Sequence, residues 1–141
     1  MKILIAVDGS PHTRKALDFL ANHRASFVTG HTLLIVHVCV GIPGHVARHV
    51  SKDVVTGYYA DESAKVIEPV KQDLAERGIV NYEVELCHGH AAEEILKVAA
   101  TANADLIVLG THGQGMFDRV LMGSVATKVI ADSERAVLLV Q

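Results

Sequence analysis

The chain is short of cysteine, of charge of either sign and of long apolar runs. Its two cysteines, Cys39 and Cys87, form no C-x-x-C pair. That excludes a disulfide-built scaffold and leaves both as small core thiols. No stretch approaches the roughly 18–20 apolar residues that cross a bilayer. The apolar run in residues 3–7 is too short for a signal peptide and no cleavage site follows it, so a soluble cytoplasmic protein is expected. Charged residues make up 21%, the net charge is −3, and no basic run occurs. This balance argues against a life on nucleic acid or on an anionic membrane. There is also no internal repeat, no low-complexity tract and no linker.

What is present is apolar sequence, half of all 141 residues. Disorder is excluded by that content. A single domain over 1–141 is expected, and one of this size buries roughly 70% of its unfolded surface. Residues 2–7 read as a strand whose run from Ile3 to Val7 is continuously apolar, as a strand buried on both faces should be. Asp8-Gly9-Ser10-Pro11 breaks it, with Ser10 as N-cap and Pro11 at the first helical position. A helix to about Ala25 is expected, then a strand over Thr32–Val40. Residues 41–57 have no clear period and read as a long surface loop. A helix follows over about Tyr58–Arg77, kinked or split at Pro69 and stopped at Gly78. Then come a strand (Tyr82–Cys87), a helix (Ala92–Ala102), a strand (Asp105–Leu109), a helix (Ser124–Ala131) and a last strand (Ala136–Val140). Five apolar strands alternating with helices predict an α/β fold, a parallel open sheet covered on both faces.

In such sheets ligands sit beyond the C-terminal strand ends, where the strand order reverses. Two unusual segments fall at such ends, Asp8-Gly9-Ser10 after the first strand and Gly110-Thr111-His112-Gly113-Gln114-Gly115 after the fourth. If those strands are neighbours, both segments face one cleft. Gly110 and Gly113 allow positive φ and let the backbone approach a ligand, and consecutive amides in such turns attract anions. Gly123-Ser124 opens a helix whose free N–H groups suit a second phosphate. Taken alone, the glycine-rich segment reads equally as a flexible turn. Neither G-x-x-x-x-G-K-[ST] nor a G-x-G-x-x-G after the first strand occurs, so any phosphate site relies on backbone amides. Lys128, one turn beyond Ser124, reads as a solvated helix lysine.

The segment Gly110-x2-Gly113-x9-Gly123-Ser124 resembles the nucleotide-binding signature of the universal stress protein family. Ile5-Ala6-Val7-Asp8-Gly9-Ser10 resembles that family's first strand and turn, and His37-Val38 the end of its second strand. The similarity runs over the whole chain. It implies a Rossmann-like, adenine nucleotide alpha hydrolase-like sheet of order 3-2-1-4-5. It implies a site for ATP, or ADP or AMP in its place, with Mg2+ accompanying the nucleotide. Asp8 would stand near the ribose or a metal-bound phosphate, and so is the candidate metal contact. Val38 would meet the adenine through its backbone, with Ala6 and Leu109 at the ends of the first and fourth strands. Gly110, Gly113, Gly123, Ser124 and the Val125 amide would cradle the phosphates. The resemblance also implies a homodimer joined through the last strand, Ala136–Gln141. Many members carry a proline before that strand, where this chain has Ser133-Glu134-Arg135-Ala136.

Nine histidines raise the question of a metal site. His88-x-His90 and the pair His45 and His49 lack a carboxylate or cysteine at ligand spacing and read as structural or solvent-facing. His37 reads as a hydrogen-bonded core residue, and His112 as a possible phosphate neighbour. Asp118 and Arg119 read as a surface pair. No G-x-S-x-G elbow and no nucleophile–base arrangement occurs, so no catalytic residue is assigned. The favoured reading is a nucleotide-binding dimeric regulator of the stress response. A slow ATPase or adenylate-transferring enzyme is the first alternative, and a nucleotide-free interaction module the second.

Overall fold

The computed structural model describes residues 1–111 and 123–141. Its centre is a five-stranded parallel sheet in the order β3-β2-β1-β4-β5. The strands are β1 (Lys2–Ala6), β2 (Thr32–Val40), β3 (Glu83–Gly89), β4 (Leu106–Gly110) and β5 (Ala136–Val140). β1 pairs with β2 from Lys2↔Thr32 to Ala6↔Val36, and with β4 from Ile3↔Leu106 to Ile5↔Val108. The expected order of strands is thus the observed one.

The unbroken apolar runs have a direct cause: successive side chains point to opposite faces, and both faces are covered. Ile3 and Ile5 pack with Leu17 and Leu20 of α1 (Pro11–Asn22) and with Ile67 and Leu74 of α4 (Lys52–Glu76). Leu4, between them, packs on the other face with Ile95 and Val98 of α5 (Ala91–Thr101) and Val129 of α6 (Ser124–Asp132). Burying a side chain of this size stabilises by about 1.5–3 kcal/mol, so the two faces hold the helices against the sheet.

Three expectations are corrected. The first helix ends at Asn22, and a separate turn, α2 (Arg24–Phe27), follows His23. Residues 41–57 are not one long loop: α3 (Gly44–Ala47) lies within them, and α4 begins at Lys52. Ser51 caps α4 by accepting a hydrogen bond from Val54 N–H at 3.2 Å. The first turns of α4 carry exposed Val54 and Tyr58 and pack on no core, so they leave no apolar period to read. Finally, of the kink or split expected at Pro69, the split does not occur: α4 is one helix, and Pro69 faces solvent. Gly78, at φ +72°, ends that segment as expected.

Candidate functional site

Where β1, β2 and β4 end, a cleft of about 340 Å³ opens between the N-termini of α1, α5 and α6. The sheet order explains its place. β1 sends its chain onward to α1 on one face, while β4 leads to α6 on the other, so the connections diverge there. The two sides of the cleft differ in chemistry. Val36 and Val38 at the end of β2, with Ala91 and Ile95 of α5, make an apolar wall. Asp8, Ser10 and Thr13 before and within α1, with Thr111, Gly123 and Ser124 on the β4–α6 side, make a polar one.

Of the nine residues anticipated for a ligand, eight line this one cleft. Ala6, Val38, Leu109 and Gly110 are at its strand ends, Asp8 stands in the turn after β1, and Gly123, Ser124 and Val125 open α6. Gly113 lies outside the described residues, as do His112, Asp118 and Arg119. Gly123 is the N-cap of α6, in an extended conformation, and as a glycine brings no side chain to cap that end. Its own N–H is held by Thr111 O, while the first amides of α6 have no partner within the helix. They point toward the cleft with the positive end of the helix dipole.

The role of Gly110 is corrected. Among the described glycines, positive φ occurs at Gly9, Gly30, Gly78 and Gly89, not at Gly110. What demands glycine there is the first turn of α1: a β-carbon would stand 2.8 Å from His12 Cβ. Gly9, at φ +78°, supplies the left-handed turn instead.

Asp8 is tightly held. Its Oδ1 accepts hydrogen bonds from Ser10 N–H (2.9 Å) and from the Thr13 hydroxyl (2.8 Å). Its own N–H donates to Thr13 Oγ (3.0 Å). Ser10 sits at the N-cap position of α1 but its side chain makes no capping bond; its carbonyl accepts from Thr13 N–H at 3.0 Å, and its own N–H goes to Asp8. One strand away, buried His37 places Nδ1 2.9 Å from the carbonyl of Val7 and ties the ends of β1 and β2 together. Lys128 does not reach into the cleft; it pairs with Glu93 across α5 and α6 at 3.2 Å. His88 stacks on Tyr59 with ring centroids 4.1 Å apart. Among the described residues no three His, Cys, Asp or Glu side chains are grouped to hold a metal ion. Nor is any helix among them long and apolar enough to cross a membrane.

Residues 1–141 match the Universal stress protein family along their whole length. This chain belongs to the universal stress protein family. Among its relatives, universal stress protein YxiE of Bacillus subtilis is 33% identical over 153 residues, covering 99% of this chain and 98% of YxiE. Among solved structures, the hypothetical protein MJ0577 of Methanocaldococcus jannaschii superposes with a TM-score of 0.77 at 26% identity, over 99% of this chain and 94% of that one. Three universal stress protein complexes share the fold. One holds cAMP (TM-score 0.72, 21% identity, 100% and 97% of the two chains). One, from Archaeoglobus fulgidus, holds dAMP (0.68, 23%, 100% and 98%). One, from Arabidopsis thaliana, holds AMP (0.67, 19%, 99% and 90%).

In this universal stress protein the cleft also draws on residues that the motifs do not contain. Ala91 and Ile95 enter it from α5. Their signal in the sequence is positional, since α5 starts just past the C-terminal end of β3. Thr13 enters from the third position of α1, and only the hydrogen bonds to Asp8 single it out.

Proposed function

We propose that this universal stress protein binds an adenine nucleotide in the cleft and acts as a homodimeric, cytoplasmic regulator in the stress response. The observation that carries the reading is the union, in one 340 Å³ space, of an apolar wall and a helix N-terminus whose N-cap is a glycine. A purine wants the first and a phosphate the second. The adenine lies between Ala6, Val38 and Leu109, where backbone groups at the strand ends read its edge. The phosphates lie against Gly110, Gly123, Ser124 and the Val125 amide, with Gly113 added by the motif. Asp8 faces the ribose, or a Mg2+ ion carried on a longer nucleotide. That proteins of this fold hold cAMP, dAMP and AMP supports the reading. Supplying charge through backbone amides suits ATP, ADP and AMP alike.

The dimer forms at β5, an edge strand whose Val137, Leu138 and Leu139 are only partly covered. In place of the proline frequent in relatives, a local turn sets the approach to β5. Ser133 Oγ accepts from Arg135 N–H and donates to Arg135 O, both at 2.9 Å.

The test is to denature freshly purified protein, identify released small molecules by mass spectrometry, and follow thermal unfolding with and without AMP and Mg-ATP. A ligand at about 100 times its Kd adds about 2.7 kcal/mol, a rise of several degrees in Tm for a chain of this size. Released nucleotide, or that rise, supports the site. Neither one at millimolar nucleotide defeats it.

A further inference from the structure

The geometry points to Thr13 as the positioning residue that decides which oxygen of Asp8 is presented to a ribose hydroxyl. The inference rests on the nucleotide reading of the cleft. Thr13 is 4% exposed, and its hydroxyl is spent within the protein. It accepts from Asp8 N–H at 3.0 Å and donates to Asp8 Oδ1 at 2.8 Å. With Ser10 N–H also on Oδ1 at 2.9 Å, that oxygen has two donors. Among the described residues Oδ2 takes no hydrogen bond from the protein, and Asp8 lines the cleft. An ionised carboxylate only accepts. Phosphate oxygens offer it no proton and repel its charge, whereas a sugar hydroxyl donates. Holding Oδ1 from both the main chain and Thr13 fixes the carboxylate before any ligand arrives, so no ordering of this side chain opposes binding. Thr13, its hydroxyl spent on Asp8, thereby acts through Asp8.

The test compares wild type, Thr13→Val and Thr13→Ser by calorimetry with AMP and with 2′,3′-dideoxy-AMP, in EDTA so that no cation bridges Asp8 to phosphate. Valine keeps the shape and removes the hydroxyl; serine keeps the hydroxyl. Wild type is expected to favour AMP over the dideoxy analogue. Thr13→Val should weaken AMP about tenfold and leave the analogue nearly unchanged, and Thr13→Ser should restore the preference. Equal loss for both ligands would mean a structural role only and would overturn the inference, as would an unchanged affinity for AMP or no preference in wild type. Ligand-free crystal structures of wild type and Thr13→Val separate this from the nucleotide reading. If wild type binds no AMP, that reading fails on its own. A carboxylate of Asp8 that turns in Thr13→Val then still supports the positioning role, and one that stays in place removes it.

Discussion

Gly110 lies so close to the first turn of α1 that a β-carbon on it would meet His12 Cβ at 2.8 Å and the His12 carbonyl oxygen at 3.0 Å. These atoms belong to the stem and main chain of a helical residue, so no flexible side-chain end can move aside. Gly110→Ala must push α1 from the end of β4, and overpacking of this kind costs about 1–3 kcal/mol. Urea unfolding should show that loss, together with weaker nucleotide binding because Asp8 and Thr13 travel with α1. Ser124→Ala is the contrast. Ser124 is exposed, so its replacement should move stability by less than about 0.5 kcal/mol while still weakening binding.

That contact was invisible in the sequence, and it marks where reading by motif ends. Strands buried on both faces announce themselves, because the middles of β1 and β2 take apolar side chains on successive residues, Leu33 to Val36 in β2; the extent of β2, Thr32–Val40, was legible for that reason. Asp8, Gly110 and Ser124 were legible as residues of one cleft, because glycines and a short acid after apolar runs stand out against the core. Their reasons were less so. Gly110 is a glycine on account of His12, which is remote in sequence, and not for a positive φ. The start of α4 was hidden, because Val54 and Tyr58 point to solvent and leave no stripe. The apolar wall of Ala91 and Ile95 looked like ordinary core of α5, since only the sheet order shows which strand ends it overlooks.

On the α1–α4 face, Arg77 clasps two helices. Its Nε and Nη2 donate to Asp18 Oδ1 at 2.8 and 2.6 Å, and Nη1 donates to the carbonyl of Asp73 at 2.9 Å. The Asp73 carboxylate in turn takes Arg14 at 3.3 Å. Arg77 is mostly covered, at 17% side-chain exposure, while Asp18 is more than half exposed. Arg77→Ala should cost about 1–2 kcal/mol, in the range of charge-assisted bonds with part of the pair in solvent. The difference from wild type should shrink in urea titrations at 1 M salt, where the Debye length falls to about 3 Å. A difference that does not change with salt would assign the loss to packing of the arginine stem.

Both thiols are held in the neutral form. Burial raises the pKa of Cys39, with a smaller push from Glu62; burial likewise raises that of Cys87, helped by Glu85 and Glu94. The thiolate is the reactive species, so alkylation of the native protein near pH 7.5 should be slow, and fast for both residues in denaturing urea. The linkage has a definite sign. A pKa raised in the folded state favours the protonated fold. The stabilising share is therefore whole below the unfolded thiol's value of about 8.5 and is lost as pH climbs through the higher folded value. Cys87→Ala should flatten the fall in stability between neutral pH and pH 10, and an unchanged slope would remove Cys87 from that account.

The proposed dimer depends on which backbone groups of β5 remain free. Thr111 N–H donates to Val140 O at 3.2 Å, and the register pairs Val140 with Gly110. In a parallel ladder, the residue that bonds across with its C=O does so with its N–H as well, and the next residue along faces the other way. Val140, Leu138 and Ala136 therefore bond to β4, and Val137 and Leu139 turn their amides outward. A second β5 would use those outward groups. Proline is tolerated on an edge strand where the lost N–H faced solvent. Val137→Pro thus leaves the β4 ladder intact and deletes one donor from the edge. Sedimentation equilibrium should find wild type at twice its 15.1 kDa chain mass and Val137→Pro shifted toward monomer, with the circular dichroism of the two alike. A variant that stays dimeric with its fold intact would place the subunit contact elsewhere than on β5.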